Sequence, residues 1–289
     1  MKAYLYYIEA ITNLQVCSGE ENFGVVDNLI QRDITTKLPV IHASSLKGAI
    51  REHLESLKNN SEMIKKLFGS KPIENEANNM QAGSLRFFDA HLLAIPVRCK
   101  QTPYLMATCP KVLNEYIDFI QMFGLENKYA DVQKILIYLE DLYKKRKEKN
   151  KNIPNYTVDK YSGILIEDLN SQTELISQSQ LKDSSDQIIN VEPLTNLLKE
   201  LIGDNCVLMS NENFSLLCDD NHLPIIARNY LIKGESKNLW YEQVLPRKSK
   251  LYFFVYDTQS QSLPDLSTQL VQIGANASVG YGFCKITKK

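Results

Sequence analysis

The sequence contains no apolar run that approaches the ~20 residues needed to cross a bilayer. Residues 2–16 alternate apolar and polar side chains and include Glu9, a pattern that predicts a β-strand and lacks the apolar core expected of a secretion signal. These two absences lead us to expect a cytoplasmic protein with no membrane among its partners.

Recognisable metal-binding spacings are absent as well. The six cysteines and four histidines are dispersed along the chain, and no two cysteines form a CxxC pair. We therefore expect no structural zinc site. Cysteines in a reducing compartment are usually buried thiols, and this is our prediction for all six. They are Cys17, Cys99, Cys109, Cys206, Cys218 and Cys284.

An excess of basic residues is missing too. The 33 lysines and arginines are balanced by 34 aspartates and glutamates, which gives a formal net charge of −1. General nucleic-acid-binding proteins usually carry a basic excess, so any RNA site here must be a local patch on a balanced surface. Hydrophobic residues make up 44% of the chain, which is enough for a folded core.

Hydrophobic periodicity predicts an alternation of helices and strands. Helices are predicted at 45–57, 62–68, 110–123, 130–149, 194–202 and 212–218. Strands are predicted at 2–16, 83–98, 163–166, 224–232, 239–245, 250–256 and 282–287, while 270–275 fits either type. This order favours an α+β fold with an antiparallel sheet and helices on one face, of which the ferredoxin-like, RNA-recognition-motif-like (RRM-like) fold is an example.

The domain organisation follows from the same pattern. A length of 289 residues allows one large domain or two small ones, and no internal repeat is visible. We predict a single domain over residues 1–289. Its core would combine roughly 1–98 with 204–289, and residues of roughly 110–200 would form a helical and polar insertion.

Three segments carry more information than their composition. The first is SGEENFGVVDNLIQRD, residues 18–33, a glycine-containing loop that holds Asp27 between two buried elements, with Arg32 and Asp33 nearby. Long loops in compact domains are often functional. Taken alone, however, a loop aspartate is more often a turn or cap residue than a catalyst.

The second segment is PVIHASSLKGAIREHL, residues 39–54, in which Ser44 is the predicted N-cap of a helix. Exposed amides at a helix start, two hydroxyls and two cations one turn apart would together cradle a phosphate. The side chains of this cradle are Ser44, Ser45, Lys47 and Arg51. A serine-rich helix start is also common as ordinary capping.

The third segment is IGANASVGYGFCKI, residues 273–286, with Gly274, Gly280 and Gly282 among small residues. It lacks the lysine of a nucleotide-triphosphate loop and does not lie between a strand and a helix, which argues against nucleotide or dinucleotide binding. Glycines permit close approach of another backbone, and we interpret the segment as a turn beside a nucleic-acid strand.

Taken together and in this order, the three segments resemble the RAMP superfamily, the backbone subunits of type III CRISPR effector complexes. SLRFFDAHLLAIPVR, residues 84–98, and LWYEQVLP, residues 239–246, extend the resemblance, and the latter favours the Cmr (type III-B) group over the Csm (type III-A) group. The resemblance covers most of the chain except roughly residues 128–190. The first loop departs from the family because it lacks a histidine that members often carry near its start.

The resemblance implies an RRM-like core with a projecting thumb. Copies of such subunits stack into a filament along the guide RNA, beside the other Cmr subunits, and cut the matched target RNA at regular intervals. The family's catalytic aspartate maps onto Asp27, which would also bind the Mg²⁺ or Mn²⁺ that the reaction requires. In that reaction the ribose 2′-OH attacks its adjacent phosphate.

The expected guide-RNA contacts follow from the resemblance and from the phosphate cradle. They are Ser44, Ser45, Lys47, Arg51, Gly274, Gly280 and Gly282, together with Arg32, which either supports its loop or contacts RNA. The thumb is expected in the polar segment 160–192 or at the turn 232–240. Both expectations require residues 44–48 to lie beside the C-terminal glycine turn.

Two other functions remain open at this point. The same motifs suit a filament subunit that binds guide RNA without cutting target RNA. Only Asp27 distinguishes the cutting subunit from the non-cutting one. A stand-alone CRISPR RNA-processing endonuclease of the same superfamily would depend on a histidine near the first helix, where His42 is the candidate.

Overall fold

The computed structural model describes residues 2–19, 25–57, 61–71, 81–125, 128–149, 151–158, 161–176, 189–259 and 263–289. The chain forms two compact units, one combining Met1–Leu92 with Asp220–Lys289 and the other comprising Leu93–Asp219. The grouping of both into one domain stays a prediction. Within the described ranges, no helix is both long enough and apolar enough to span a membrane.

The described residues contain six α-helices and fourteen β-strands. The helices are α1 (Ala43–Ser56), α2 (Ser61–Phe68), α3 (Pro110–Met122), α4 (Ala130–Glu148), α5 (Glu192–Leu201) and α6 (Asn211–Leu217). The strands are β1 (Lys2–Ala10), β2 (Val40–Ile41), β3 (Leu85–Phe87), β4 (Ala90–Val97), β5 (Leu105–Thr108), β6 (Asn155–Thr157), β7 (Leu165–Ile166), β8 (Ser171–Leu175), β9 (Cys206–Leu208), β10 (Ile225–Ile232), β11 (Glu235–Gln243), β12 (Lys250–Asp257), β13 (Leu270–Gln272) and β14 (Phe283–Lys288). The pairings are mostly antiparallel, which confirms the predicted α+β class.

The first unit is built on an antiparallel sheet in the order β13-β14-β1-β12. In the centre of the sheet, Ile8 pairs with Leu251 on one side and with Ile286 on the other, and all three side chains are buried. Burying apolar side chains stabilises the fold in proportion to the area removed from water. The undecided segment 270–275 begins as strand β13.

Helix α1 packs against β13, β3 and α2 through one apolar stripe. Leu46, Ile50 and Leu54 recur every four residues and are fully buried, as the helical period requires. The predicted N-cap at Ser44 is wrong: the helix begins at Ala43, and His42 is the N-cap.

The start of α1 is capped by a residue far away in sequence. The Ala43 amide donates to Asp89 Oδ1 at 2.7 Å, and His42 Nδ1 lies 3.4 Å from Asp89 Oδ2. Asp89 leaves the strand ladder to make this cap, so the single strand predicted over 83–98 is two strands, β3 and β4. The strand predicted over 2–16 likewise ends earlier, at Ala10.

The second unit carries the helices α3 to α6 and the strand order β5-β9-β6-β8-β7. Pro110 stands at the start of α3, where its missing amide costs no hydrogen bond. Both β5–β9 and β6–β8 are parallel pairs. Sequence periodicity missed β5, β6, β8 and β9 because strands of three to five residues give too short a pattern.

Strands β10 and β11 form a separate two-stranded sheet in the first unit. Their turn residues Lys233 and Gly234 both have positive φ (50° and 84°), the backbone of the tight hairpin turn that matches strand twist. Apolar side chains on this hairpin are exposed, including Tyr230 and Leu231. Contiguous exposed apolar surface is typical of sites that contact another molecule.

Candidate nucleic-acid interface

Asp27 lies at the root of the β10–β11 hairpin. Its amide donates to the Tyr241 carbonyl at 3.0 Å, and Asp27 Oδ2 accepts the Tyr241 amide at 2.8 Å. The adjacent Asn28 continues the pairing with a parallel bridge to Glu242. Asp27 itself is exposed, so its carboxylate is held in place by main-chain contacts while it stays open to solvent.

The loop that follows Asp27 is shaped by a second aspartate. Asp33 Oδ1 accepts the amides of Thr35 (3.0 Å) and Thr36 (2.6 Å), which closes a tight turn. Burial alone would raise the pKa of Asp33, but the hydrogen bonds from Thr36 and Thr35 outweigh it and lower the pKa overall. Asp33 is thus a turn residue held in its ionised form.

Arg32 is committed to contacts within the chain. Its Nε donates to Asp220 Oδ1 at 2.9 Å and a terminal nitrogen donates to the Lys37 carbonyl at 2.8 Å. The side chain is only 17% exposed. Of the two roles left open for Arg32, these contacts favour support of the loop.

The start of α1 presents its polar side chains unequally. Ser44 is exposed, whereas Ser45 Oγ accepts a hydrogen bond from Gln31 Nε2 at 3.1 Å. Lys47 is half-buried, and no carboxylate of the described residues forms an ion pair with it. Asp89 already accepts the first amide of the helix, so that amide does not donate to a phosphate. The ammonium group of Lys47 is then the main group at the start of α1 that can bind one.

Arg51 lies one turn after Lys47 but is shared with an acid. Its Nε donates to Glu55 Oε1 at 3.0 Å, and Lys71 Nζ donates to Glu55 Oε2 at 2.7 Å. The hydrogen bonds from Lys71 and then Arg51 lower the pKa of Glu55. Arg51 therefore offers less net charge to RNA than its position alone suggested.

The three glycines of the C-terminal turn have different reasons to be glycine. A Cβ at Gly274 would lie 2.2 Å from the Gln15 carbonyl oxygen, and one at Gly282 would lie 2.1 Å from the Ile273 carbonyl oxygen. At Gly280 a Cβ would meet open space. The close approach made by Gly274 and Gly282 is thus to the chain's own backbone, and their contact with RNA stays a prediction.

Residues 15–17 connect this glycine turn to the start of α1. The Ala275 amide donates to the Gln15 carbonyl at 2.8 Å, and the Gln31 amide donates to the Val16 carbonyl at 2.8 Å. The Gln31 side chain then reaches both Ser45 Oγ and the His42 amide (2.8 Å). The two segments that the sequence required to be neighbours are linked by a short series of hydrogen bonds.

A buried carboxylate links the hairpin to the same glycine turn. Glu242 is 5% exposed and accepts Trp240 Nε1 (2.9 Å), Asn276 Nδ2 (2.9 Å) and an Arg228 nitrogen (3.4 Å). The Arg228 guanidinium in turn lies over the rings of Trp240 and Tyr281, at 5.8 and 5.7 Å from the centroids. Sequence reasoning singled out this segment as a motif but gave Glu242 no role. An acid inside an aromatic strand was the signal.

A cleft of about 570 Å³ lies beside the first turns of α1. Its lining residues include Lys47 and Ser44 from α1 and Arg86 and Phe87 from β3. Sequence reasoning did not identify Arg86 as a candidate binding residue. The signal that could have found it is a single arginine within the apolar run SLRFF.

The described residues contain no group of three histidines, cysteines, aspartates or glutamates that could enclose a metal ion. Among the described residues, a cation at Asp27 would therefore find one carboxylate, and phosphate and water would supply further ligands. Mg²⁺ accepts such a site because it keeps several waters and shares phosphate oxygens. The exposed carboxylate of Asp27 fits this limited role.

Part of the first thumb candidate, 160–192, falls outside the described residues, namely residue 160 and residues 177–188. The described part of that candidate, which includes β7 and β8, is paired into the sheet of the second unit. The other candidate, the 232–240 turn, is the tip of the exposed β10–β11 hairpin.

Comparisons with known proteins agree with the motif order. The RAMP superfamily pattern matches residues 7–206. A Cmr endoribonuclease, Cmr4 of Pyrococcus furiosus, is 28% identical over 309 residues, which cover 100% of this chain and 96% of that protein.

Solved structures match the fold over nearly the whole chain. A chain of the type III-B Cmr-beta complex bound to cognate target RNA has a TM-score of 0.71 and 21% identity, with 100% of this chain and 97% of that one covered. Oligomeric Cmr4 from Pyrococcus furiosus has a TM-score of 0.66 and 22% identity, with 100% and 98% covered.

Proposed function

Because the chain belongs to the RAMP superfamily, we propose that it is a backbone subunit of a Cmr-type (type III-B) CRISPR effector complex, where it binds guide RNA and cleaves matched target RNA. The 28% identity over the whole chain to a protein named as a Cmr endoribonuclease supports this proposal. Its partners are then guide RNA, target RNA, further copies of itself in a filament and the other Cmr subunits.

The first unit supports the finer proposal of a ferredoxin-like, RRM-like core. An antiparallel sheet with a helix packed against it, as α1 packs against β13, is consistent with such a core. The exposed hairpin of β10 and β11 is the proposed thumb, because it leaves the sheet as a separate two-stranded element with exposed apolar residues near its tip.

The observation that carries the nuclease proposal is the fixed, exposed carboxylate of Asp27. The Tyr241 amide binds one of its oxygens at 2.8 Å and thereby orients the group at the root of the hairpin. The donor is a main-chain amide, so it cannot rotate away from the carboxylate as a side-chain donor can. Asp27 is thus held ready at the place where the proposed thumb would separate a target strand from its guide.

The proposed reaction is attack of a ribose 2′-OH on its own 3′-phosphate. The new 2′-O–P bond gives a cyclic phosphate, the bond to the 5′-oxygen of the next nucleotide breaks, and that oxygen gains the proton which the 2′-OH loses. Alignment of the two oxygens supplies much of the rate in such intramolecular reactions. Mg²⁺ or Mn²⁺ bound at Asp27 would supply positive charge at the phosphate.

Contacts to the guide backbone form the rest of the proposal. Ser44 and Lys47 are accessible at the start of α1, and Gly280 is the glycine of the C-terminal turn with open space around it. Ser45 and Arg51 take part while they keep their contacts with Gln31 and Glu55. Backbone contact suits a subunit that must accept any guide sequence.

The test compares two substitutions of Asp27 in the assembled complex with matched target RNA and Mg²⁺. Asp27→Asn keeps an oxygen that can accept the Tyr241 amide but removes the charge. We expect target cleavage to fall by about 100-fold or more, while guide and target binding stay unchanged. Asp27→Ala also removes the hydrogen bond, so it should lose cleavage and additionally lower thermal stability.

Asp33→Asn is the matched control, since it neutralises a nearby carboxylate that serves a turn. Wild-type cleavage by Asp27→Asn would remove Asp27 from the chemistry and leave a guide-binding subunit that does not cut.

A further inference from the structure

The cleft beside α1 has the composition of an anion site. Its only charged lining residues among those described are Lys47 and Arg86, and the hydroxyls of Ser44 and Ser70 lie with them. No carboxylate of the described residues lines it, and neither cation forms an ion pair with another of them. Two cations in one concave site attract a phosphate more strongly than either does alone on a flat surface.

The far wall of the cleft is fixed by close contact between two chain segments. A Cβ at Gly83 would lie 2.4 Å from the Leu67 carbonyl oxygen, and one at Gly69 would lie 2.7 Å from the Gln81 carbonyl oxygen. The Gln81 amide also donates to Ser70 Oγ at 2.8 Å. This wall is therefore held by backbone and does not depend on a ligand to form.

Two aromatic residues, Phe68 and Phe87, line the cleft. The rings of Phe68 and Phe87 stack with centroids 5.6 Å apart and planes inclined by 26°. Phe68 is 2% exposed, whereas Phe87 is half-buried, so Phe87 is the ring that presents an apolar surface to the cleft. Aromatic surface next to cations is the combination with which proteins hold single-stranded nucleic acid.

We propose that this cleft is a nucleotide subsite for a bound RNA strand. One phosphodiester lies between Lys47 and Arg86, and the sugar and base of that nucleotide lie over Phe87. The inference rests on the proposed function, since that function supplies the RNA strand, and it assigns a new phosphate contact, Arg86. The volume of about 570 Å³ falls within the range of sites for ligands of this size.

The subsite does not select a base. Phe87 offers a ring face, which every base can stack upon, and the two cations would contact the phosphate, which is the same in every nucleotide. This matches a subunit that must bind guides of any sequence, because the phosphate and the ring face are the features that all nucleotides share.

The test measures binding of the full-length chain to fluorescein-labelled oligouridine and oligoadenosine. We expect Arg86→Ala and Lys47→Ala each to weaken binding of both probes by about 5- to 10-fold. The double variant should bind more weakly than either, but by less than the product of the two effects, because both cations serve one phosphate. Lys65→Ala, an exposed lysine of α2 outside the cleft, is the control of equal charge change.

A second measurement detects direct contact. RNA containing 4-thiouridine, irradiated in the complex with the wild-type chain, should crosslink to the peptide that carries Phe87, and Phe87→Leu should reduce the crosslink several-fold without lowering the melting temperature by more than a few degrees. Arg86→Ala binding as well as Lys65→Ala, together with crosslinks only elsewhere, would overturn the subsite while leaving RNA binding intact. A wild-type chain that binds neither probe would instead reject the proposed function, and the subsite with it.

Discussion

At the scale of single residues, a glycine can be predicted correctly to make a close backbone contact while the partner of that contact is predicted wrongly. Gly274 was expected to admit a nucleic-acid backbone, yet the backbone it admits is that of Gln15. Gly280, six residues later, has a similar positive φ (83° against 86°) but open space where a Cβ would be. The two positions separate the effect of crowding from the effect of backbone conformation.

Gly274→Ala should therefore destabilise the fold more than Gly280→Ala. At Gly274 the new methyl group meets a carbonyl oxygen at 2.2 Å, and backbone must move to relieve the contact. We expect a loss of about 2–4 kcal/mol in the free energy of unfolding for Gly274→Ala, against about 1 kcal/mol for Gly280→Ala. Urea unfolding of both variants measures the difference, and equal losses would contradict the crowding.

The same residue scale explains the cysteines. All six are free thiols and five of them are buried, as predicted, whereas Cys17 is half-buried, so the predicted burial is wrong for that residue. Burial raises the pKa of Cys109 to about 12 and that of Cys284 to about 12. Thiols held protonated in this way are packing residues, because the thiolate is the reactive form.

At the scale of elements, the β10–β11 hairpin is the part of the first unit that its own packing explains least. A two-stranded hairpin alone is only marginally stable in water. Here its base is held by Glu242 and by the pairing of Asp27 and Asn28 with β11, while Tyr230, Leu231 and Leu239 stay exposed. A hairpin that is anchored at its base and carries exposed apolar residues near its turn is suited to contact another molecule.

Shortening this hairpin should separate binding from cleavage. Replacing Tyr230–Asn238 by Asn-Gly rejoins the strands at the pair Asn229↔Leu239 with the tight turn that such hairpins prefer. We expect the melting temperature and guide binding to stay near wild type, because the removed residues are exposed. Cleavage of matched target RNA by the complex should fall by about 10-fold or more. Without the hairpin, the target strand is no longer separated from the guide, and the 2′-OH is not aligned with its phosphate.

Lys237→Ala, which keeps the full hairpin length, is the matched control. Unchanged cleavage by the shortened variant would show that the hairpin is not the thumb.

At the scale of the whole molecule, charge is the deciding property. With a net charge of −1, the chain has no broad basic field to draw RNA from a distance. In the site, Arg32 and Arg51 are bound to carboxylates, so the cations that no described carboxylate pairs with are Lys47 and Arg86. RNA binding should accordingly rest on few phosphate contacts per chain.

This predicts a shallow salt dependence. For single-stranded RNA the logarithm of the binding constant should change with the logarithm of salt concentration by about −0.7 to −1.5 per chain, as expected for one or two neutralised phosphates. Titrations of oligouridine at several KCl concentrations measure this slope. A slope steeper than about −3 would require a wide basic surface that the charge count does not provide.

Much of the molecule could be foreseen from local pattern. Helices α2, α3 and α4 start and end within about two residues of their predicted limits, because their apolar stripes and terminal signals, such as Pro110 and Gly69, act locally. The α+β class and the motif order also follow from sequence. Two of the failures, the start of α1 and the strand through residues 88–89, have one cause, the cap that Asp89 places on Ala43. The strand predicted over 2–16 ends earlier, at Ala10, and the short strands β5, β6, β8 and β9 were missed because their patterns are too brief.

The sequence by itself determined the element types, the thiol character of the cysteines and the family, since these depend on neighbours within a few residues or on motif order. The tertiary structure alone decided that Asp27 accepts the Tyr241 amide, that Arg32 pairs with Asp220, and that Arg86 lines the cleft together with Lys47. Such pairs lie tens to hundreds of residues apart. Whether a carboxylate or a cation is free to act depends on the partner that folding brings to it, and no local pattern encodes that partner.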